Sequence, residues 1–515
     1  MSGFVIAKNA ALNIAAFAVT LLVTFLLVPV MLAHLGAAGF GVWAIARVFV
    51  SYASLSDLGL SSTVTKFVAE FHTKRDEHRL ALYLQAAFML YTLIGILLFL
   101  CVWLFSDLLV ATFFAGSGSY AADVQFVLLG SIAVFAVNLV GTVFSSAING
   151  LQRMEVTNGL TTFYWLLNGG GMFAALEFGY GLRGIVYANA LSTALLFVLL
   201  AVFFFRLFAR VPFLSVRFRF DEIVESLRYG KDIFIIAVAN SVHLHYDKLL
   251  LGSFVGVGAV SNYEIASRVI QAMRQIVVLV LNPMLPLASE LQAVERTESI
   301  RRLYARAMKF LVFFTVPFFA CTAAFAGELI ELWLRESNAV VVLTLQTLLF
   351  ANFVNLLTGP AYFISLGIGK ARYGMYCALV GLALNLLLSF AFLRLFGYVG
   401  LLAGTSVALL CEAILFLVIF QGSLDLSLRA TARLLLQPSF AILAGVGAGL
   451  GIGSFTDSLV VKTLLMFAVT IVIYFLLMIK LHYFDEEDRT FLKELKGMIS
   501  TKLLQMNREK VRFDA

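Results

Sequence analysis

Aliphatic and aromatic residues make up 61% of this 515-residue chain, charged residues only 13%, and the mean hydropathy is +0.96. Such values exclude a soluble globular fold and leave an integral membrane protein. The formal charge of +7 reads as juxtamembrane anchoring and not as a nucleic-acid patch.

About fourteen stretches reach the roughly twenty residues that a helix needs to cross hydrocarbon. In chain order, spans 1 to 8 fall at 9–33, 40–66, 80–105, 121–149, 158–177, 184–208, 229–252 and 258–287. Spans 9 to 14 fall at 307–326, 340–368, 373–395, 398–420, 434–454 and 459–481. The runs are too long and too uniformly apolar for the alternating strands of an outer-membrane barrel, and helices satisfy every backbone group in lipid. The expected fold class is an all-α polytopic membrane protein. Met1 to Lys8 carries one positive charge before an apolar run that continues for a full span without a small-residue cleavage site, so it reads as an uncleaved first helix.

Basic residues alternate between loops. One side carries Lys74, Arg75, Arg79, Arg153, Arg206, Arg210, Arg217, Arg219, Arg228, Lys231, Arg296, Arg301, Arg302, Arg306, Lys309, Lys370, Arg372, Arg429, Arg433 and the tail after Lys480. The other carries Arg183, Arg335 and Arg394 among acids such as Asp107, Asp123, Glu328, Glu331 and Asp457. Both termini are expected to be cytoplasmic, and one missed span would invert every later loop. Cys101, Cys321, Cys377 and Cys411 lie scattered inside spans, so neither a disulfide nor a metal site is expected. From Asp485 to Ala515 the chain turns charged and helix-periodic, which reads as a surface-lying cytoplasmic helix.

A faint internal repeat organises the chain. LGAAGFGVWAIARV after span 1 aligns with VGVGAVSNYEIASRV, pairing Gly36 with Gly256, Trp43 with Tyr263 and Ala46 with Ala266. Further on, Asn168 pairs with Asn385, and GLRGIVYA from Gly181 resembles GYVGLLAG from Gly397. Six spans are therefore followed by six related ones, which predicts an N-terminal lobe over 1–210 and a second over 211–425. Two further spans follow over 426–482, and a tail over 483–515. An even number of spans per repeat keeps both lobes in one orientation, with the repeat axis along the membrane normal.

Intramembrane polar residues are concentrated in spans 1, 2, 7 and 8, which are equivalent pairs under the repeat. Span 2 carries Arg47, Ser51, Ser54, Asp57, Ser61 and Thr65, and span 8 carries Glu264, Ser267, Arg268, Gln271, Arg274 and Gln275. Span 7 adds Asn240, His243, His245, Asp247 and Lys248, and span 1 adds Asn13, Thr20 and Thr24. A charge at mid-bilayer costs roughly 2.5 to 3.5 kcal/mol on insertion scales, so such stripes are expected to face a watery transport pathway. Two structural alternatives stand beside that reading. Glu264 with Arg268, and Asp247 with Lys248, are placed to neutralise each other. Arg47, about seven residues inside its helix and so roughly 10 Å deep, is within snorkelling range of the interface. Asp57, Asp247, Glu264 and His243 are the candidates for exchanging a proton or pairing with a cation during a cycle.

The stretch VPVMLAHLGAAGFGVWAIARVFVSYASLSDLGLSSTVTKFVAEF, Val28 to Phe71, resembles the opening of bacterial polysaccharide flippases. These carry O-antigen or exopolysaccharide units and belong to the superfamily of multidrug, oligosaccharidyl-lipid and polysaccharide exporters. The elements that carry the resemblance are the glycine-bearing turn after span 1, the triplet Asp57-Leu58-Gly59 and the basic residues after span 2. The length and the six-plus-six-plus-two layout extend it along the chain. The resemblance implies two lobes that alternate in access, and a short glycan joined by pyrophosphate to a polyprenyl carrier as substrate. Arginine offers bidentate donors to phosphate oxygens, so Arg47, Lys248, Arg268 and Arg274 are the expected substrate-binding residues.

No phosphate-cradling glycine-rich loop is present, so ATP hydrolysis is not expected, nor is a cofactor. Coupling to a proton or sodium gradient stays open. A multidrug extruder, a peptidoglycan-precursor flippase and a membrane glycosyltransferase or ligase are the alternatives, and the last would require a larger outside loop than Ser106 to Ala122. Expected partners are the lipid-linked glycan, membrane lipids, and the polysaccharide polymerase and chain-length machinery, with no nucleic acid.

Overall fold

In the computed structural model the described residues are 3–486 and 488, apart from 58, 210–230, 295 and 454. They form helices and short connections, with no strand among them. The expected surface helix of the tail lies outside the described residues.

Ten helical runs are long and apolar enough to cross a membrane. Two of these, Ala16–Lys74 with 59 residues and Ala371–Gly422 with 52, are more than twice the roughly twenty that a crossing takes. Counting each as two, and adding Met154–Glu177 and Lys231–Phe254 with 24 residues each, gives the fourteen spans expected. The long runs bend where the chain must reverse. Gly36 (φ 64°, ψ −177°) and Gly397 (φ 64°, ψ −145°) take up backbone angles that are essentially glycine's own. Gly181 and Gly256 also have positive φ, 55° and 116°. These four are the glycines that the repeat pairs, each at a turn from an odd-numbered span to the next even one. A further repeat pair, Asn168 and Asn385, is buried at both positions.

The chain divides into two compact units. One comprises Asn9–Ile265 with Ser389–Leu401, and the other Ala266–Leu388 with the described parts of Met1–Lys8 and Leu402–Ala515. The first unit takes in more than six spans because the tip of the hairpin between spans 7 and 8 packs on the N-terminal helices. Val257 donates its backbone N–H to Ala115 O at 2.9 Å, and a side chain at Gly41 would collide with the Val257 carbonyl. Within the same unit Arg394 caps the Phe254 ring at 4.4 Å.

In the second unit, the two helices beyond the repeat, Leu428–Gly453 and Leu459–Lys480, pack through small residues. Gly445, Gly449 and Gly453 recur every four positions and let Thr470 and Met466 approach the backbone. Thr470 Oγ1 donates to Gly445 O at 3.1 Å. With no hydrophobic driving force between helices in lipid, close backbone approach and such bonds supply the association. Tyr474 OH ties the last span to Phe313 O at 2.8 Å. Just beyond it, Asp485 at 3.0 Å and Asp488 both engage Lys309 Nζ. The Asp485 carboxyl is held below the usual carboxylate range, first by the backbone N–H of Asp488 and then, against its burial, by Lys309. That contact is therefore complete above the ordinary carboxylate range and weakens only as pH falls through the lowered value.

Candidate functional site

The second span is discontinuous. A short turn at Ser54–Asp57 and a left-handed Gly59 (φ 75°) separate its first half from the helix Leu60–Lys74. The break falls at the Asp57-Leu58-Gly59 triplet. The Asp57 carboxylate accepts from Ser61 Oγ at 2.9 Å and from the hydroxyl of the fully buried Tyr91. It also sits at the start of Leu60–Lys74, where the helix dipole favours a negative charge. Span 8, the repeat partner of span 2, is broken too, at Asn282 and Pro283 between Val257–Leu281 and Met284–Ala293. The two breaks lie at different distances from the paired glycines, 18–23 residues after Gly36 and 26–27 after Gly256, and broken helices inside a membrane are tolerated where they are buried or line a cavity.

Several stripe hydroxyls turn out to serve their own helices. Thr20 donates to Ala16 O, Thr24 to Thr20 O, Ser51 to Arg47 O and Thr65 to Ser61 O, at 2.8–3.0 Å. The ionisable side chains carry the site instead.

Around the hairpin of spans 7 and 8, Lys248 Nζ lies 2.5 Å from Glu264 Oε2, with the two side chains only 9% and 12% exposed. Glu264, expected to meet Arg268 within its own helix, thus has a cation across the hairpin. Asp247 accepts from Tyr263 OH at 2.7 Å, both buried. His243 is half-buried on the same helix. His245 packs edge-on against Tyr52 at 6.0 Å and feels the charges of Lys248, Glu264 and Arg47.

Arg47 lies eleven residues beyond the bend at Gly36, about 16 Å along the helix at 1.5 Å per residue. That is farther along the helix than the roughly 10 Å expected, which assumed a later turn, and the side chain is exposed. It stands over the Trp43 ring at 5.9 Å. Both line a cavity of about 150 Å³ within the N-terminal spans, together with Ser131, Asn138, Tyr164 and Asn189. Among the described residues no carboxylate lines this cavity.

In the second unit Arg274 is half-buried. Its Nη1 donates to Asn352 Oδ1 at 3.0 Å and Asn355 Oδ1 at 2.9 Å. Among the described residues no hydrogen bond engages its Nε–Nη2 edge. Glu412 acts on it electrostatically. Arg268 lies six residues earlier, roughly 120° around the helix, so the two arginines do not share a face. Tyr91, Asn352, Asn355 and Glu412 were not anticipated. Glu412 alone left a trace in the sequence, as the only acid within span 12.

The sequence profile of a family described as "polysaccharide biosynthesis protein" matches residues 15–342. This chain belongs to that family. The matched region holds Arg47, Asp57, His243, Asp247, Lys248, Glu264, Arg268 and Arg274, and ends before Asn352, Asn355 and Glu412. Within reach of the family, a putative O-antigen transporter of Shigella flexneri is 20% identical over 426 residues, which cover 80% of this chain and 96% of the relative. Among solved structures, the lipid II flippase MurJ in an inward closed conformation superposes with a TM-score of 0.72 at 15% identity, covering 92% of this chain and 98% of its own. An inward-facing multidrug resistance MATE transporter gives 0.65 at 15% identity, over 79% and 94%. At such identities these two share the fold.

Proposed function

We propose that this chain is a flippase that carries a polyprenyl-pyrophosphate-linked oligosaccharide unit across the bacterial inner membrane by alternating access, for O-antigen or exopolysaccharide assembly. It is read as a carrier and not as an enzyme. The observation that carries the reading is Arg274 in a family of polysaccharide biosynthesis proteins. Its hydrogen-bond partners are neutral amide oxygens, and the Nε–Nη2 edge is the one that grips phosphate bidentately. Arg47 and Arg268 are the further phosphate candidates. Lys248 is the weakest of the four, because Glu264 already balances it.

The test is transport by the purified protein in liposomes that hold a lipid-linked oligosaccharide, read as glycan newly accessible to an external glycosidase. A rate no faster than in protein-free liposomes would overturn the reading. A lipid-linked peptidoglycan precursor and a cationic dye run in parallel separate the two related carrier classes.

Coupling falls to Asp57, which sits at the break of span 2. Asp57→Asn is expected to slow transport severalfold under an imposed proton or sodium gradient while leaving substrate affinity unchanged. Transport at the parent rate under both gradients would remove Asp57 from that role.

The reading also places both termini in the cytoplasm. Reporter fusions after Gly118, Gly181 and Asp457 are expected to report outside, and those after Arg79, Arg217 and Arg302 inside. A reversed signal at any one site breaks this topology.

A further inference from the structure

The cavity beside Arg47 carries more chemistry than an anion site needs. A phosphate or carboxylate alone is served by a guanidinium and a few N–H groups. Here the lining adds three aromatic rings, Trp43, Phe135 and Tyr164, two amides, Asn138 and Asn189, and the hydroxyl of Ser131. A flat, amphipathic ligand uses all of these at once, stacking its C–H face on a ring while its rim hydroxyls pair with amides. Trp43 is held for such a role, with Phe40 stacked on it at 5.8 Å and 25° and the Arg47 guanidinium at 5.9 Å. Asn138 already spends its N–H on Thr193 Oγ1 at 3.2 Å, which leaves Oδ1 to accept from a ligand hydroxyl. The amide of Asn189 and the hydroxyls of Ser131 and Tyr164 make no hydrogen bond to any described residue.

Size narrows the ligand further. A volume of about 150 Å³ is that of an engineered cavity able to hold one six-membered ring. It is far below the roughly 300 Å³ at which pockets for larger ligands begin. The enclosed space is of the order of one sugar ring, and the remainder of an oligosaccharide would extend beyond it.

We propose that this cavity is a subsite for one hexopyranose ring bearing an anionic group, with the ring against Trp43 and Tyr164, the hydroxyls on Asn138 and Asn189, and the anion on Arg47. The proposal rests on the reading of the chain as a carrier of phosphate-linked glycans, and deepens it by naming the part of the glycan that the N-terminal lobe reads. Two sources supply this chemistry, a sugar phosphate and a uronic acid.

Full-length protein in lipid nanodiscs is titrated with glucose 1-phosphate, glucuronate, glucose and methyl phosphate, followed by saturation transfer to the sugar ring protons or the methyl group. At least one charged sugar is expected to bind tenfold or more tightly than both glucose and methyl phosphate, and the tighter of the two identifies the source of the anion. Arg47→Gln is expected to abolish the advantage of the charged sugars over glucose, and Trp43→Leu to weaken the charged sugar about tenfold. Asn189→Ala with Tyr164→Phe, which keeps every aromatic ring of the lining, is expected to weaken it severalfold and carries the test if Trp43→Leu elutes as aggregate.

Methyl phosphate binding as tightly as glucose 1-phosphate, or no charged sugar binding, would overturn the subsite. So would an unchanged affinity in a well-folded Trp43→Leu variant or, failing that, in the double variant. Liposome transport by the parent separates the two claims. Transport without charged-sugar binding removes the subsite alone, whereas binding without transport removes the flippase reading alone.

Discussion

Lys248→Met is expected to destabilise the detergent-solubilised protein by about 3–5 kcal/mol, the cost of removing one partner of a buried ion pair. Glu264 would keep its charge at a site where its side chain is 12% exposed, and lose the ammonium now 2.5 Å away. The double variant Lys248→Met with Glu264→Leu is expected to recover most of the loss, since replacing both charges by apolar groups is often neutral or stabilising. Thermal unfolding of the two singles and the double closes the cycle that isolates the pair. The outcome decides a functional question as well. A Lys248→Met variant as stable as the parent would mean that the pair is not structural, and would return Lys248 to the residues that take substrate phosphate.

Arg274→Ala is expected to weaken binding of the lipid-linked pyrophosphate at least tenfold, because hydrogen bonds to charged groups are worth about 1.5–3 kcal/mol each. Arg274→Lys is expected to recover only part of it, because the charge returns without the planar fork. Asn352→Ala with Asn355→Ala tests the mounting of the guanidinium. Both amide oxygens hold Nη1, so their removal is expected to give an intermediate loss through a mobile arginine. Protein yield and elution profile are measured alongside, because Glu412 loses its neighbouring cation in the alanine variant. Parent-like affinity in a well-folded Arg274→Ala protein would leave this arginine a purely structural role.

Much of the architecture was legible in the residues themselves. Hydrocarbon thickness fixes the length of an apolar run, so fourteen spans can be counted without knowing how they pack. The pairing of Gly36 with Gly256 and of Gly181 with Gly397 was legible for a local reason. Positive φ is a property of one residue's backbone, glycine meets it without strain, and all four adopt it. The break in span 2 was not legible in the sequence, where 40–66 reads as one continuous span, although a left-handed glycine, Gly59, accompanies it too.

Tertiary structure alone decided which charges meet. Neighbours one turn apart on a helix can be read from spacing, which made Glu264 and Arg268 a plausible pair. Lys248 reaches Glu264 across a hairpin, and that contact depends on the register of two helices, which neither specifies alone. Arg274 is mounted by asparagines 78 and 81 residues away, a separation at which no periodicity carries information. The cavity beside Arg47 gathers side chains from spans 2, 4, 5 and 6, so its mix of arginine, aromatic rings and amides exists only once those helices are side by side. Run length and backbone strain are written residue by residue, and the sequence by itself determined them. Contacts between helices belong to the packing, because each needs a rotation and a register that no single helix specifies.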